Sequence, residues 1–239
     1  MSGTPTVDVA KDAAGRAAAA LVEAGMRLGL GTGSTVDRFL VALAARGLDV
    51  AGVPTSRATE VRCAELGIRL LDPAEVTRLD LVVDGADELT GDLVLTKGGG
   101  GALLREKVVA AMGERFAVIA TVDKRVPRLG DTFAVPVEVV PFALHPVRRD
   151  LEAEGLEVVE RTDVTGVSSR TDNGNAILDV RLDGGLADPE QTDVWLTMIP
   201  GVVTSGIFTD LATEALLGRP DGRVETLRRP ERASEGAAD

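Results

Sequence analysis

Up to about residue 125 the chain alternates short apolar runs of strand length with segments of helical period, and this alternation limits its fold more than any other feature. Helices are expected over 7–24, 35–46, 57–66 and 102–112, and strands over 26–30, 50–54, 68–71, 79–83 and 116–121. Strand and helix in regular turn imply an α/β class, with an open, mostly parallel Rossmann-like sheet and helices on both faces. Ligands of such sheets bind in the crevice beyond the carboxyl ends of the strands.

From residue 131 the rhythm changes to strand 133–140, helix 144–154, strands 158–162 and 175–182, helix 188–198 and strand 201–205, which is the ferredoxin-like order. Asp172-Asn173-Gly174-Asn175 is the turn signal between the two middle strands. We therefore expect a Rossmann-like catalytic domain over 1–130 plus 206–228, an inserted ferredoxin-like α+β lid over 131–205, and a polar disordered tail over 229–239.

Composition narrows the function classes. Lys and Arg number 26 against 38 Asp and Glu, a net charge of −12, so no basic stripe is available for nucleic acid. No run of 18 apolar residues exists to span a membrane, and Asp8, Lys11, Asp12 and Arg16 interrupt the first helix as they would not a signal peptide. One cysteine, Cys63, forms no intramolecular disulfide and fits a reducing, cytoplasmic setting; a buried inert thiol is the expectation. Tyrosine is absent and the single histidine, His145, falls in the lid, so carboxylate chemistry is favoured.

Three segments at the strand ends carry that chemistry. Gly29-Leu30-Gly31-Thr32-Gly33-Ser34-Thr35 joins the first strand to a helix, either as an anion site of backbone N–H groups and hydroxyls or as a tight turn with a capped helix. It fails the dinucleotide fingerprint, because Ser34 stands at the third glycine and Val53-Pro54-Thr55 ends the next strand without an acid. Asp84-Gly85-Ala86-Asp87-Glu88 crowds carboxylates into the crevice, for acid/base work beside Lys97, for magnesium, or merely as a polar turn. Lys97-Gly98-Gly99-Gly100-Gly101 cradles an anion and leads into a helix bearing Glu106, which is either a held base or part of a solvated Arg105-Glu106-Lys107 face. Lys124, after the strand 116–121, is a further cation at the same edge, a phosphate contact or a solvated turn lysine.

With these motifs in order, joined by 136–141, 171–175 and 199–203, the chain resembles ribose-5-phosphate isomerases of the A type over nearly its whole length. The resemblance implies interconversion of ribose 5-phosphate and ribulose 5-phosphate in the pentose phosphate pathway, with no cofactor and no metal, by a homodimer or homotetramer. It implies Glu106 as the general base acting through a cis-enediol(ate), and Asp84, Asp87 and Lys97 as groups that assist ring opening and stabilise the enediolate. It implies Thr32, Gly33, Ser34, Thr35, Gly85, Ala86, Gly98, Gly99, Gly100 and Lys124, with Asp84, Asp87 and Lys97, as substrate-binding positions. Thr121-Val122-Asp123-Lys124 departs from the pattern in lacking the Ser or Thr often found just before the lysine. Two other classes stay open: a sugar-phosphate sensor, for which the residues before the first strand are expected to be too few to hold a DNA-binding module, and an NAD-dependent dehydrogenase, disfavoured by the failed fingerprint.

Overall fold

The computed structural model of the chain describes residues 4–182 and 184–229. Helix α1 (Thr4–Ala20) leads into β1 (Arg27–Leu30), α2 (Ser34–Ala45), β2 (Ala51–Pro54), α3 (Arg57–Leu66) and β3 (Arg69–Leu70). Then come β4 (Leu81–Asp84), the two-residue strands β5 (Glu88–Leu89) and β6 (Leu95–Thr96), α4 (Leu103–Met112) and β7 (Phe116–Thr121). The chain continues through β8 (Val135–Val139), α5 (Leu144–Ala153), β9 (Glu157–Glu160), β10 (Ala176–Arg181), α6 (Pro189–Met198) and β11 (Val202–Ser205), and returns through β12 (Ile207–Phe208), β13 (Glu214–Gly218) and β14 (Val224–Arg228).

The large sheet has the order β14-β13-β7-β4-β1-β2-β3, parallel throughout except for β14. Its six parallel strands therefore run 3-2-1-4-5-6 in their own order of appearance, the doubly wound Rossmann topology. The strands read as unbroken apolar runs because both faces are covered. Leu81, Val83, Ala117, Ile119 and Leu216 meet α1, α2 and α3 on one face. The alternate residues Val82, Phe116, Val118, Ala120, Ala215 and Leu217 meet α4 and the small strands on the other. The chain leaves β1 in one direction along the sheet and β4 in the other, so the crevice opens between the ends of these two neighbours.

Residues 135–205 form a second sheet, ordered β11-β8-β10-β9 and antiparallel at every pairing, the ferredoxin-like arrangement. Its helices contribute Leu144, Val147, Leu151 and Leu196 to a separate apolar core. Helix α4 touches β4 of the large sheet and β8 and β11 of the second, so it is covered from two sides. The turn at 171–174 forms as expected, with the Gly174 N–H donating to the Thr171 carbonyl, but it does not join β9 directly to β10. A longer connection, closed by a Thr162–Ser168 bridge, lies between them.

Two further findings differ from the sequence expectations. A third sheet, β12-β6-β5, packs beside the crevice; strands of two residues are too short for any period to reveal. At the C-terminus the residues 230–239 of the expected tail lie outside the described residues, whereas Arg229 is tied down through Asp210 at 2.9 Å and the Thr213 carbonyl at 3.1 Å. Among the described residues no helix is long and apolar enough to cross a membrane.

Candidate active site

The carboxyl ends of β1, β4 and β7, the glycine loop and the start of α4 enclose a cavity of about 260 Å³. Thr32–Thr35, Gly85–Asp87, Lys97–Gly100, Glu106 and Lys124 all line it, so the structure brings together segments spread over ninety residues of sequence. Asp84 does not line it. That side chain lies behind the wall, 1% exposed, because β4 turns it inward against the β1 loop.

Asp84 organises the site from there. Its Oδ1 accepts hydrogen bonds from the Thr32 N–H at 3.0 Å and the Gly85 N–H at 2.7 Å, and its Oδ2 lies 3.1 Å from Lys97 Nζ. The approach is possible because residue 31 is glycine: a Cβ there would lie 2.1 Å from Asp84 Oδ1 and 2.6 Å from its Cα. Gly31→Ala is therefore expected to destabilise the fold by about 1–3 kcal/mol through overpacking. A urea midpoint within experimental error of the parent would contradict that.

Lys97 is a fully buried ammonium. It donates to the Gly85 carbonyl at 2.6 Å and sits 3.1 Å from Asp84 and 3.4 Å from Glu106 Oε1. Burial works to lower its pKa, but Asp84 and Glu106 more than offset burial, and the result is raised. This ammonium occupies the point on which the Asp84 and Glu106 carboxylates converge. Glu106, in the first turn of α4, is 6% exposed, so the solvated-face reading fails at this position. The flanking residues explain why. Arg105 donates to Asn173 Oδ1 at 3.0 Å and Lys107 to Asp193 Oδ1 at 3.1 Å, so all three side chains of the triplet face protein.

Burial pushes the Glu106 carboxyl up to about 8; the Lys97 ammonium pulls the other way, and Asp84 and Asp87 add to the rise. Its Oε2 is buried without any hydrogen-bond partner in the protein. A carboxylate beside a cation, with one oxygen uncommitted and a proton affinity near neutrality, is equipped to take up and return a proton. Asp87 accepts from the Gly99 N–H at 2.8 Å and has no contact with Lys97 among the ion pairs. Glu88, the third acid of that segment, is turned away. It accepts from the N–H groups of Gly130, Thr132 and Phe133 at 2.7, 2.7 and 2.9 Å and anchors the start of the second sheet.

The β1 loop also divides its labour. The Thr32 hydroxyl faces Thr55 and Ser56 at 2.8 Å and Thr59 at 3.2 Å, so those residues brace the loop rather than form a second anion site. Gly33, at φ 109°, immediately precedes helix α2 and leaves its first N–H groups without a side-chain cap. Lys11 lies here too, donating to Ser34 Oγ at 2.9 Å and lining the cavity. Sequence reasoning missed it, because α1 carries no motif and only the fold brings it across to α2. Lys124 faces the cavity from the short turn after β7 with no ion-pair partner among the described residues. Away from the site, Cys63 is fully buried in α3 and burial pushes its thiol up to about 11, as an inert core residue requires. His145 is exposed on α5.

Comparison with known proteins follows the same lines. A family described as ribose 5-phosphate isomerase A (phosphoriboisomerase A) matches residues 51–222. Ribose-5-phosphate isomerase A of Roseiflexus castenholzii is 50% identical over 209 residues, covering 85% of this chain and 89% of the relative. The structure of ribose 5-phosphate isomerase A from Methanocaldococcus jannaschii superposes with a TM-score of 0.86 at 38% identity, covering 92% of this chain and 98% of that one. A D-ribose-5-phosphate isomerase in complex with phospho-erythronic acid superposes with a TM-score of 0.89 at 35% identity, over 93% and 99% of the two chains.

Proposed function

The chain belongs to the ribose 5-phosphate isomerase A family, enzymes that interconvert ribose 5-phosphate and ribulose 5-phosphate, and we propose that it does so through a cis-enediolate with Glu106 as the single general base. The observation that carries this reading is the uncommitted Oε2 of a buried, proton-hungry carboxyl in the cavity wall. The substrate's phosphate takes the cationic end, where Lys11, Lys124 and the uncapped start of α2 with Ser34 and Thr35 converge. The carbon chain then extends towards Glu106, past Asp87 and the glycine loop.

In the open-chain aldose, Glu106 removes the C2 proton, the electron pair forms the C1–C2 double bond, and negative charge develops on O1. The Lys97 ammonium, held by Asp84, meets that charge. Glu106 returns its proton to C1 as the O2 proton passes to O1, which leaves the C2 carbonyl and C1 hydroxyl of the ketose. Asp87 is free on one oxygen to handle the hydroxyl proton released or taken up when the sugar ring opens. Asp84 thus acts through Lys97 rather than by touching the sugar.

Turnover of ribose 5-phosphate to ketose, with EDTA present and no nucleotide, is the expected result; no ketose under those conditions would overturn the proposal. Two further outcomes follow. Lys124→Ala removes a charge-assisted contact, so KM is expected to rise about tenfold with kcat changed little; an unchanged KM would remove Lys124 from the phosphate subsite. Because the base must be ionised and burial holds the Glu106 carboxyl near 8, kcat/KM is expected to climb with pH, reach half its maximum at about pH 8 and level off above that. A profile flat between pH 6 and pH 9 would contradict a base with a raised pKa.

A further inference from the structure

We infer that Arg161, supplied by the second sheet, is a positioning residue that sets the glycine loop for the isomerisation; this inference rests on the isomerase reading above. Arg161 follows β9 and its guanidinium is clasped by Asp179 of β10, Nε lying 2.9 Å from Oδ2 and Nη2 bonded to Oδ1. The remaining nitrogen, Nη1, reaches across to the active-site loop and donates to the Gly98 carbonyl at 2.7 Å and the Gly99 carbonyl at 3.1 Å. The Arg161 side chain is 17% exposed and Asp179 24%, so the pair is largely shielded from water.

The consequence follows from peptide geometry. In a trans peptide the C=O and the N–H point to opposite sides. Holding the Gly98 carbonyl on the Arg161 side directs the Gly99 N–H the other way, where it donates to Asp87 Oδ2 at 2.8 Å. Holding the Gly99 carbonyl likewise turns the Gly100 N–H away from Arg161, and no acceptor among the described residues takes it. Gly99 and Gly100 both line the cavity. Glycines have many alternative conformations, and Gly98 already sits at φ 105° and Gly101 at φ 77°. An external clamp is what removes that freedom. A Cβ at residue 99 would lie 2.6 Å from Asp87 Oδ1, so any larger residue there would displace the Asp87 carboxylate. Arg161 therefore orients Asp87, through the Gly99 N–H, and the Gly100 N–H, unpaired among the described residues, without touching the sugar.

The test compares Arg161→Ala, Arg161→Lys and Asp179→Asn with the parent enzyme for kcat, KM, inhibition by phospho-erythronic acid and inhibition by inorganic phosphate. For Arg161→Ala, loss of loop alignment is expected to lower kcat about 30-fold with KM within about threefold. Phospho-erythronic acid is expected to bind more weakly while inorganic phosphate is unaffected, and tens of millimolar guanidinium is expected to recover part of kcat. Arg161→Lys is expected to fall between Ala and the parent, because one ammonium lacks the planar fork. Should Arg161→Ala fail to fold, Asp179→Asn, which keeps the guanidinium and loosens its anchor, must still show a selective fall in kcat. A kcat within threefold of the parent, or an equal loss of phosphate binding with no guanidinium rescue, would overturn the inference. Absence of turnover in the parent enzyme would instead overturn the isomerase reading itself.

Discussion

Glu106→Gln is expected to convert ribose 5-phosphate at least about 10³-fold more slowly than the parent enzyme while binding it with a similar Kd. The two side chains are nearly isosteric, so α4, the glycine loop and the phosphate end of the cavity keep their places. What changes is the atom that moves the proton. In the parent, Oε1 lies 3.4 Å from Lys97 Nζ and Oε2 has no partner in the protein. An amide in that position has no accessible basic lone pair; Asp84 lies outside the cavity lining, and Asp87, held through one oxygen by the Gly99 N–H, keeps the other for the ring-opening proton. Turnover and equilibrium binding, measured on the same preparation, check the expectation. A variant retaining more than a tenth of parental kcat would show that another group is the base.

Lys97→Met has the second large expected effect, on stability as well as rate. Methionine keeps the length of the side chain and its contact with the Phe208 ring, over which the ammonium lies at 5.6 Å. It leaves Asp84 and Glu106, 1% and 7% exposed, without their shared cation. Removing one partner of a buried ion pair costs about 3–5 kcal/mol. Lys97 is also the influence that holds the Glu106 carboxyl down against burial, so its loss raises that proton affinity further. A carboxyl whose pKa is raised in the fold destabilises it above that value and spares it below the unfolded one. The part of the stability gap that Glu106 contributes is therefore expected to widen above about pH 8, where the parent's carboxyl ionises and the variant's does not. Turnover is expected to drop about 10²–10³-fold, as the developing enediolate charge loses its nearest cation. Urea unfolding at pH 7 and pH 9 with kinetics at pH 8 measures all three; parental stability at pH 7 would contradict the structural role assigned to Lys97.

Much of this was legible in the residue order, for physical reasons that differ by element. The strands β1, β2, β4 and β7 are buried on both faces, so they appear as unbroken apolar runs. Their carboxyl ends carry the loops that face the crevice, which is why Thr32–Thr35, Asp84–Asp87 and Lys124 read as neighbours from residue order alone. Glu106 was recognisable from the tetraglycine before it. Its burial was not, because that depends on α4 being covered by a second sheet formed some thirty to one hundred residues later. The same long reach hid Lys11 and Arg161, neither of which has a local motif. Nor could residue order tell that Asp84 stands behind the wall and Asp87 on it: three residues apart at a strand end, they are separated by the direction of one side chain. The β5, β6 and β12 strands were illegible because two residues carry no period.

The central claim, that one buried carboxylate moves the proton between C2 and C1, is tested most directly by incubating ribulose 5-phosphate in D₂O and following C1 by NMR. The account predicts deuterium at a single one of the two C1 positions with the parent enzyme, and no measurable exchange with Glu106→Gln under conditions where that variant binds the sugar. Exchange at the parental rate in Glu106→Gln would contradict it.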